Sequence, residues 1–555
     1  MPLGSPPLPF RRDAMLERLA ADHFDVLVIG GGITGAGVAL DAASRGLRTA
    51  LVERDDFASG TSSKSSKLIH GGLRYLQQGD VRLVYQALRE RQRLIDNAPH
   101  LVSVLPFMIP VLTRDGPVSK KIAKALRTAL WMYDLTGGLR IGKRHQRLAA
   151  DGTLGHCPTL PADKVSSGFV YYDASADDAR LTLTIARTAA RHGAAVANRC
   201  EAVELTKRAD GTVDGALVDT GDERIHVRSS VVVSAAGVWA DEIRRLDEGA
   251  DPDSIRPAKG VHITIPWHLV GNDIAVIISV PRDKRSLFLV PWGQLPNGTY
   301  EHCYVGTTDT DYSGSLDEPQ TNDDDLDYVL GALNHSLDTT ISRTDVTGMW
   351  AGLRPLVKQA SSGRTADLSR RHTVTTSDSG VITVTGGKLT TYREMAEDTV
   401  DAVLARLDRR ERCRTKRLQL IGADGYVTLP DDHPDHRLAH RYGTELAEIK
   451  ALVAMDNTLV RPLVTGLPYT RAEAIHAVRH EMATTLIDVL TRRTRAHLRH
   501  REATLAAAAG VAELIAPELG WSEQDIEREV SAYRDLCYHE LVASRRSAAT
   551  AQVTA

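Results

Sequence analysis

Residues 24–56 read FDVLVIGGGITGAGVALDAASRGLRTALVERDD, and the fold follows from them. An apolar run from Asp25 to Ile29 leads into Gly30, Gly32 and Gly35 at GxGxxG spacing. A helical pattern then continues through Arg45 and Gly46 to a second apolar run that ends at Glu53. In a strand–turn–helix–strand unit the first glycine permits the tight turn, the second lets the backbone approach a pyrophosphate, and the third lets helix pack closely on strand. The helix N-terminus adds free N–H groups and the positive end of its dipole. Glu53 is placed to accept hydrogen bonds from ribose hydroxyls, and a carboxylate there disfavours a 2′-phosphate. The unit predicts a bound dinucleotide; by itself it leaves FAD and NAD both open.

Two further stretches choose between them. Residues 57–76, FASGTSSKSSKLIHGGLRYL, are dense in hydroxyls and glycines and fit a loop that offers donors to the cofactor; its candidates are Thr61, Ser62, Ser63, Ser66, Lys67, His70 and Gly72. Residues 380–400, GVITVTGGKLTTYREMAEDTV, repeat the order strand, glycine pair, helix start. Gly386 and Gly387 would let a cofactor ring approach, with Lys388, Leu389 and Thr390 opening the following helix towards an electron-rich edge. Gly237, at the end of the strand-like VVVSAAG, joins this set. Glycine contacts about 350 residues apart suit an extended cofactor such as FAD.

The whole chain of 555 residues carries 68 basic and 71 acidic groups, a net of −3, with 42% hydrophobic and 25% charged residues. That is a soluble globular composition with room for several domains and no basic surplus for nucleic acid. Residues 1–23, rich in proline, arginine and alanine, read as a tail without a signal-peptide core. From residue 24 to 413, β-like runs (DVLVIG, RTALVE, VVVSAAG, GVHITIP, SLFLVPW, CYVGTTD, GVITVTGG) alternate with helical patterns. The fold class expected is α/β to α+β: a Rossmann-type dinucleotide-binding domain interleaved with an antiparallel-sheet substrate domain, then a helical C-terminal domain over 414–542 and a frayed end at 543–555. Five scattered cysteines with no CxxC pair suggest neither disulfides nor a metal site, and a reducing cytoplasm. No uncharged apolar run is long enough to cross a bilayer. Residues 119–144 place Ile122, Leu126 and Leu130 at helical spacing among Lys120, Lys121, Lys124 and Arg127, a pattern that suits either a helix lying on an anionic membrane or one packed on the core.

The segments VIGGGITGAGVALDAASRGL, TSSKSSKLIHGGLRYL, YYDASADDARL, KGVHITIP, VPWG with VGTTDTDY, WAGLRPL and TGGKLTTYR, in that order, resemble the FAD-dependent, quinone-reducing glycerol-3-phosphate dehydrogenases among the D-amino-acid-oxidase-like flavoproteins. The later AEAIHAVRHEMATTLIDVLTRRTR looks like that family's helical cap. The resemblance implies FAD as cofactor, oxidation of sn-glycerol 3-phosphate to dihydroxyacetone phosphate, the quinone pool as acceptor, peripheral contact with the cytoplasmic face of the plasma membrane, and room for a homodimer. It also places Arg354, Lys388, Arg74, Tyr75 and Arg370, or its neighbour Arg371, around a phosphorylated substrate, for which arginine's planar fork is the fitting donor. His70 and His262 are the candidates for the base that takes the substrate's hydroxyl proton. Two other readings stand beside this one: an oxidase passing electrons to oxygen, and a catalytically silent flavin-binding scaffold.

Overall fold

The computed structural model describes residues 10–73, 81–113, 118–119, 123–134, 141–249, 252–281, 283, 285–358 and 371–543. The first strand, His23–Ile29, is buried along most of its length and pairs in parallel with Thr49–Val52 on one side and Arg224–Ser234 on the other. Among the described residues these belong to an eight-stranded sheet whose spatial order runs Thr373–Thr376, Ile382–Thr385, Arg224–Ser234, His23–Ile29, Thr49–Val52, Ala195–Ala197. The five neighbouring strands from Ile382–Thr385 to Ala195–Ala197 are parallel, and the antiparallel strands Val213–Asp219 and Glu201–Lys207 branch from Arg224–Ser234. Helix Ile33–Ser44 is buried all round between helices Asp178–Arg191 and Tyr392–Arg406, which is why its sequence is almost wholly small and apolar.

A second sheet, of eleven strands among the described residues, is mostly antiparallel and carries the substrate side. Its strands alternate: Phe107, Ile109 and Val111 enter one apolar cluster with Tyr171, Tyr304 and Trp350, while Met108 and Leu112 enter another with Ile263, Leu289 and helix Asp323–Ser336. Every β-like run expected from the sequence falls on a strand.

Beyond Arg414 no strand occurs among the described residues apart from one isolated bridge, Pro462 to Thr470. Helices Arg471–Glu481, Arg501–Leu519 and Glu523–Ala543 enclose their own apolar cluster. That region docks on the first sheet's side through buried ion pairs: Arg493 to Asp56 at 2.6 Å, Arg495 to Asp178 at 3.0 Å, Arg441 to Asp177 at 3.0 Å, and Arg180 to Glu481.

The tail reading of residues 1–23 is corrected for the part described. Arg12–Ala21 is a helix whose Met15 and Leu19 are fully buried, and Arg12 donates to the carbonyls of Asn198, Arg199 and Thr220. Met15, Leu16 and Leu19 fall close together on a ten-residue helix with alanines scattered around it, which leaves too little amphipathic signal to find by period. The frayed end beyond Ala543 lies outside the described residues. So do Lys120, Lys121 and Ile122, whereas Leu126 and Leu130 of helix Ala123–Tyr133 are buried in the second sheet's core. That helix therefore turns its leucines inward, and among the described residues its exposed large apolar side chains are Trp131 and Met132. Among the described residues no helix is long and apolar enough to cross a membrane.

Candidate active site

A cavity of about 850 Å³ runs from the glycine turn of the first strand to the face of the second sheet. At its first end Gly30 sits at φ 112°, a left-handed backbone that side-chain-bearing residues rarely adopt; a Cβ there would lie 2.7 Å from the Ala235 carbonyl oxygen. Gly32 caps helix Ile33–Ser44 with no side-chain partner of its own, and the Ser62 hydroxyl accepts from the Ile33 N–H at 2.9 Å. Gly35 packs against the Gly30 carbonyl, outside the cavity lining. Glu53 closes this end, accepting from the Gly31 N–H at 2.6 Å and the Asp55 N–H at 2.9 Å. Burial pushes its carboxyl up to about 7, because two backbone donors and no cation stand against the loss of water. Beside it the Arg54 guanidinium lies 4.6 Å over the Trp239 ring, and both line the cavity with Gly237.

The loop after the second strand divides its residues between the cavity and the wall behind it. Thr61, Ser62, Lys64, Ser65, Ser66, His70 and Gly72 line the cavity. Ser63 and Lys67, expected among the cofactor donors, do not. The Ser63 carbonyl accepts from Arg495 at 2.5 Å, and Lys67 Nζ reaches Asp178 at 3.2 Å and lies 4.6 Å over the Trp350 ring. These two positions fix the loop from behind. Gly386 and Gly387, at φ 77° and 81°, follow strand Ile382–Thr385; a Cβ on Gly386 would lie 2.9 Å from the Arg371 carbonyl oxygen. With Lys388, Leu389 and Thr390 they form the cavity's middle wall.

The far end is built on the antiparallel sheet. Strands Ile255–Pro266 and Gly348–Val357 pair so that His262 stands opposite Trp350 and Ala258 opposite Arg354. The His262 ring stacks on Trp350 at 4.8 Å and 7°, and its Nε2 meets the Ser66 hydroxyl at 2.9 Å. Burial first, then the nearby charges of Lys67 and Arg354, hold its pKa well below the usual imidazole value, so the ring is neutral. Arg354 donates to Asp309 at 3.1 Å and to the Thr308 carbonyl at 3.3 Å. Arg285 was missed by the sequence reading. It lines the cavity beside Arg354 and donates to the Asp309 carbonyl at 2.7 Å; an arginine just before a strand carries no signal that separates it from a surface cation. Arg74, Tyr75 and Arg370 lie outside the described residues, and Arg371 is exposed and not among the lining residues.

The residues present fit FAD: a glycine turn at a helix N-terminus, an acid at the ribose position and a second glycine pair with left-handed backbone, all opening on one elongated cavity. Residues 25–393 match the family described as "FAD dependent oxidoreductase", and residues 413–526 match "C-terminal domain of alpha-glycerophosphate oxidase". Fold, site and family together define an FAD-dependent oxidoreductase. Glycerol-3-phosphate dehydrogenase 2 of Mycobacterium tuberculosis is 39% identical over 543 residues, 95% of this chain and 90% of its own. The mitochondrial glycerol-3-phosphate dehydrogenase of Bos taurus is 37% identical over 97% of this chain and 76% of its own. A crystal structure of the glycerol-3-phosphate dehydrogenase from Bacillus halodurans complexed with FAD superposes with a TM-score of 0.75 at 29% identity, covering 96% of this chain and 97% of that one. The chain belongs to the glycerol-3-phosphate dehydrogenase family of these flavoenzymes.

Proposed function

We propose that the chain oxidises sn-glycerol 3-phosphate to dihydroxyacetone phosphate and delivers the electrons to a quinone. The observation that carries the substrate reading is Arg354, with Arg285 and Lys388, lining the same cavity as the glycine pair Gly386–Gly387, in a chain whose relatives are named for this substrate. A phosphate monoester needs several converging cationic donors, whereas uncharged glycerol would leave them without an anion. FAD, when bound, supplies the hydride acceptor. Gly30, Gly32 and the N-terminus of helix Ile33–Ser44 would hold its pyrophosphate, Glu53 its ribose, and Gly386 to Thr390 its ring end. His262 is suited to take the proton from the substrate hydroxyl: it is neutral, and the Ser66 hydroxyl and the Trp350 ring fix its orientation. His70, on the same cavity, is the second candidate.

Anaerobic addition of glycerol 3-phosphate to the flavin-loaded protein should bleach its visible absorbance, and glycerol and glycerol 2-phosphate should not. Bleaching by glycerol, or none by any of the three, sinks the assignment. Oxygen as acceptor is a second reading, favoured by the match of residues 413–526 to an oxidase C-terminal domain. Stoichiometric peroxide during turnover, with no reduction of a quinone analogue, would establish it. Delivery to a quinone also requires approach to a membrane, for which Trp131 and Met132, 52% and 42% exposed, are the available apolar side chains on their helix. Trp131→Ser should weaken binding to anionic liposomes; unchanged binding removes this surface from the reading.

A further inference from the structure

We propose that Glu448, His476 and His480 form a divalent-cation site of the zinc type in the C-terminal helical region, joining helix Leu446–Met455 to helix Arg471–Glu481. The two histidines are one turn apart on the same helix, their rings stacked with centroids 4.9 Å apart. The acid comes from the facing helix: Glu448 Oε2 lies 3.6 Å from His476 Nδ1 and 3.9 Å from His480 Nδ1, and one ligand atom from each of the three residues lies within 4.8 Å of the other two. A tetrahedral zinc with bonds of about 2.0–2.1 Å sets its ligand atoms roughly 3.3 Å apart, so closing the site needs side-chain shifts on the order of an ångström. None of the three lines the flavin cavity.

The second, independent observation is His476 itself. It is fully buried, yet its Nδ1 has no hydrogen-bond partner, the Glu448 carboxylate standing off at 3.6 Å. Such a group is costly unless something satisfies it, and a cation at Nδ1 does so. Its other nitrogen, Nε2, faces the buried carboxylate of Glu481 at 3.5 Å, the acid–imidazole–metal order that orients ligating histidines. Glu481 is in turn held by Arg180. The other cation close by, Arg187, is neutralised by two hydrogen bonds to Glu445, at 2.7 and 2.8 Å. His480 and Glu448 remain 42% and 45% exposed, which gives an ion its entry path and leaves a position for water. Two imidazoles and one carboxylate select a borderline ion such as Zn²⁺, Co²⁺ or Ni²⁺ over Mg²⁺ or Ca²⁺. Cysteine spacing carries no hint of this site; the signal in the sequence is the HxxxH of AIHAVRH.

Tag-free, flavin-loaded full-length protein stripped with a chelator should take up one equivalent of Zn²⁺ by calorimetry. Its melting temperature should rise with zinc concentration. Co²⁺ should give absorbance bands at wavelengths longer than the flavin's. His480→Ala and Glu448→Gln alter exposed side chains, so flavin content and zinc-free melting should match wild type, while zinc affinity falls at least tenfold in each. Equal uptake by wild type and both variants, or uptake by none, overturns the site.

Discussion

His262 carries the sharpest residue-scale consequence. Because burial and two nearby cations keep its imidazole neutral well below the ordinary pKa, a rate that depends on it as base should show no acid limb between pH 6 and 8. A base with an unperturbed imidazole would show one near ~6.5. His262→Asn should slow anaerobic flavin reduction by roughly 10²–10⁴-fold in stopped flow, the usual worth of a positioned base. An unchanged rate would pass the role to His70 or to neither. At this scale the sequence was readable where chemistry dictates the backbone. Gly30, Gly386 and Gly387 all occupy φ values that demand glycine, and Glu53 lies where the strand must deliver it. Alternate residues of an irregular loop were not readable: Ser63 and Lys67 look like their neighbours in composition, and only the arrival of Arg495 and Asp178 decides that they face backwards. Arg285 was hidden for the same reason, since its neighbours in space come from Asp309 and strand Gly348–Val357.

Among elements, the turn Gly386–Gly387 can be tested without touching charge. Gly387→Ala places a Cβ against the Met395 sulfur on a left-handed backbone. The backbone alone costs ~1–2 kcal/mol, so the variant should retain markedly less flavin, read as the ratio of visible to ultraviolet absorbance after gel filtration. Full retention would mean that the turn relaxes freely. The last helix, Glu523–Ala543, is latched by His497, whose Nδ1 meets the Tyr533 hydroxyl at 3.0 Å and whose Nε2 meets Glu540 at 3.1 Å. Burial lowers this imidazole's pKa, but the Glu540 charge and the hydrogen bonds more than offset that and hold it up to about 9. A raised folded-state pKa means stability fully present below the unfolded value of 6.5 and lost as pH rises through about 9. The melting temperature should therefore fall between pH 7 and 9.5 more steeply in wild type than in His497→Gln; parallel curves would refute the latch. Strands were legible from their apolar runs because both sheets bury at least one face. Helix Arg12–Ala21 was not, because its Arg12 and Arg18 find their partners in carbonyls far along the chain, those of Asn198, Arg199 and Thr220 and of Gly193 and Ala194.

Over the whole molecule, the C-terminal helical region is joined to the dinucleotide-binding part by buried charge as well as by apolar surface. Asp56 accepts from Arg493 at 2.6 and 2.8 Å and from Arg492 at 2.5 Å, with its carboxylate fully buried. Asp56→Asn would leave the buried Arg493 guanidinium without its nearest anion, while Arg492 keeps Asp488, and breaking a buried pair in this way costs ~3–5 kcal/mol. Asp401, which pairs with Arg45 but is 60% exposed, serves as the control, and Asp401→Asn should cost at most ~1 kcal/mol. Urea unfolding midpoints of the two variants should separate clearly; equal midpoints would mean that the Asp56 cluster contributes no more than a surface pair. Composition and period revealed that a helical region follows the mixed one. They could not reveal that its arginines reach the loop beyond the second strand, because nothing local in RRTR differs from a solvated basic run.

The bond from Arg495 to the Ser63 carbonyl spans 432 residues of chain. During synthesis the glycine turn and first strands leave the ribosome long before Arg495, so the loop from Thr61 to Lys67 can lean on Asp178 well before the Arg495 side of its back wall exists. Chains truncated anywhere before Arg495 should hold flavin loosely, and tight cofactor capture becomes a late event that coincides with docking of the final helices. A cell that limits flavin supply would then meet this protein as a chain still awaiting that clasp.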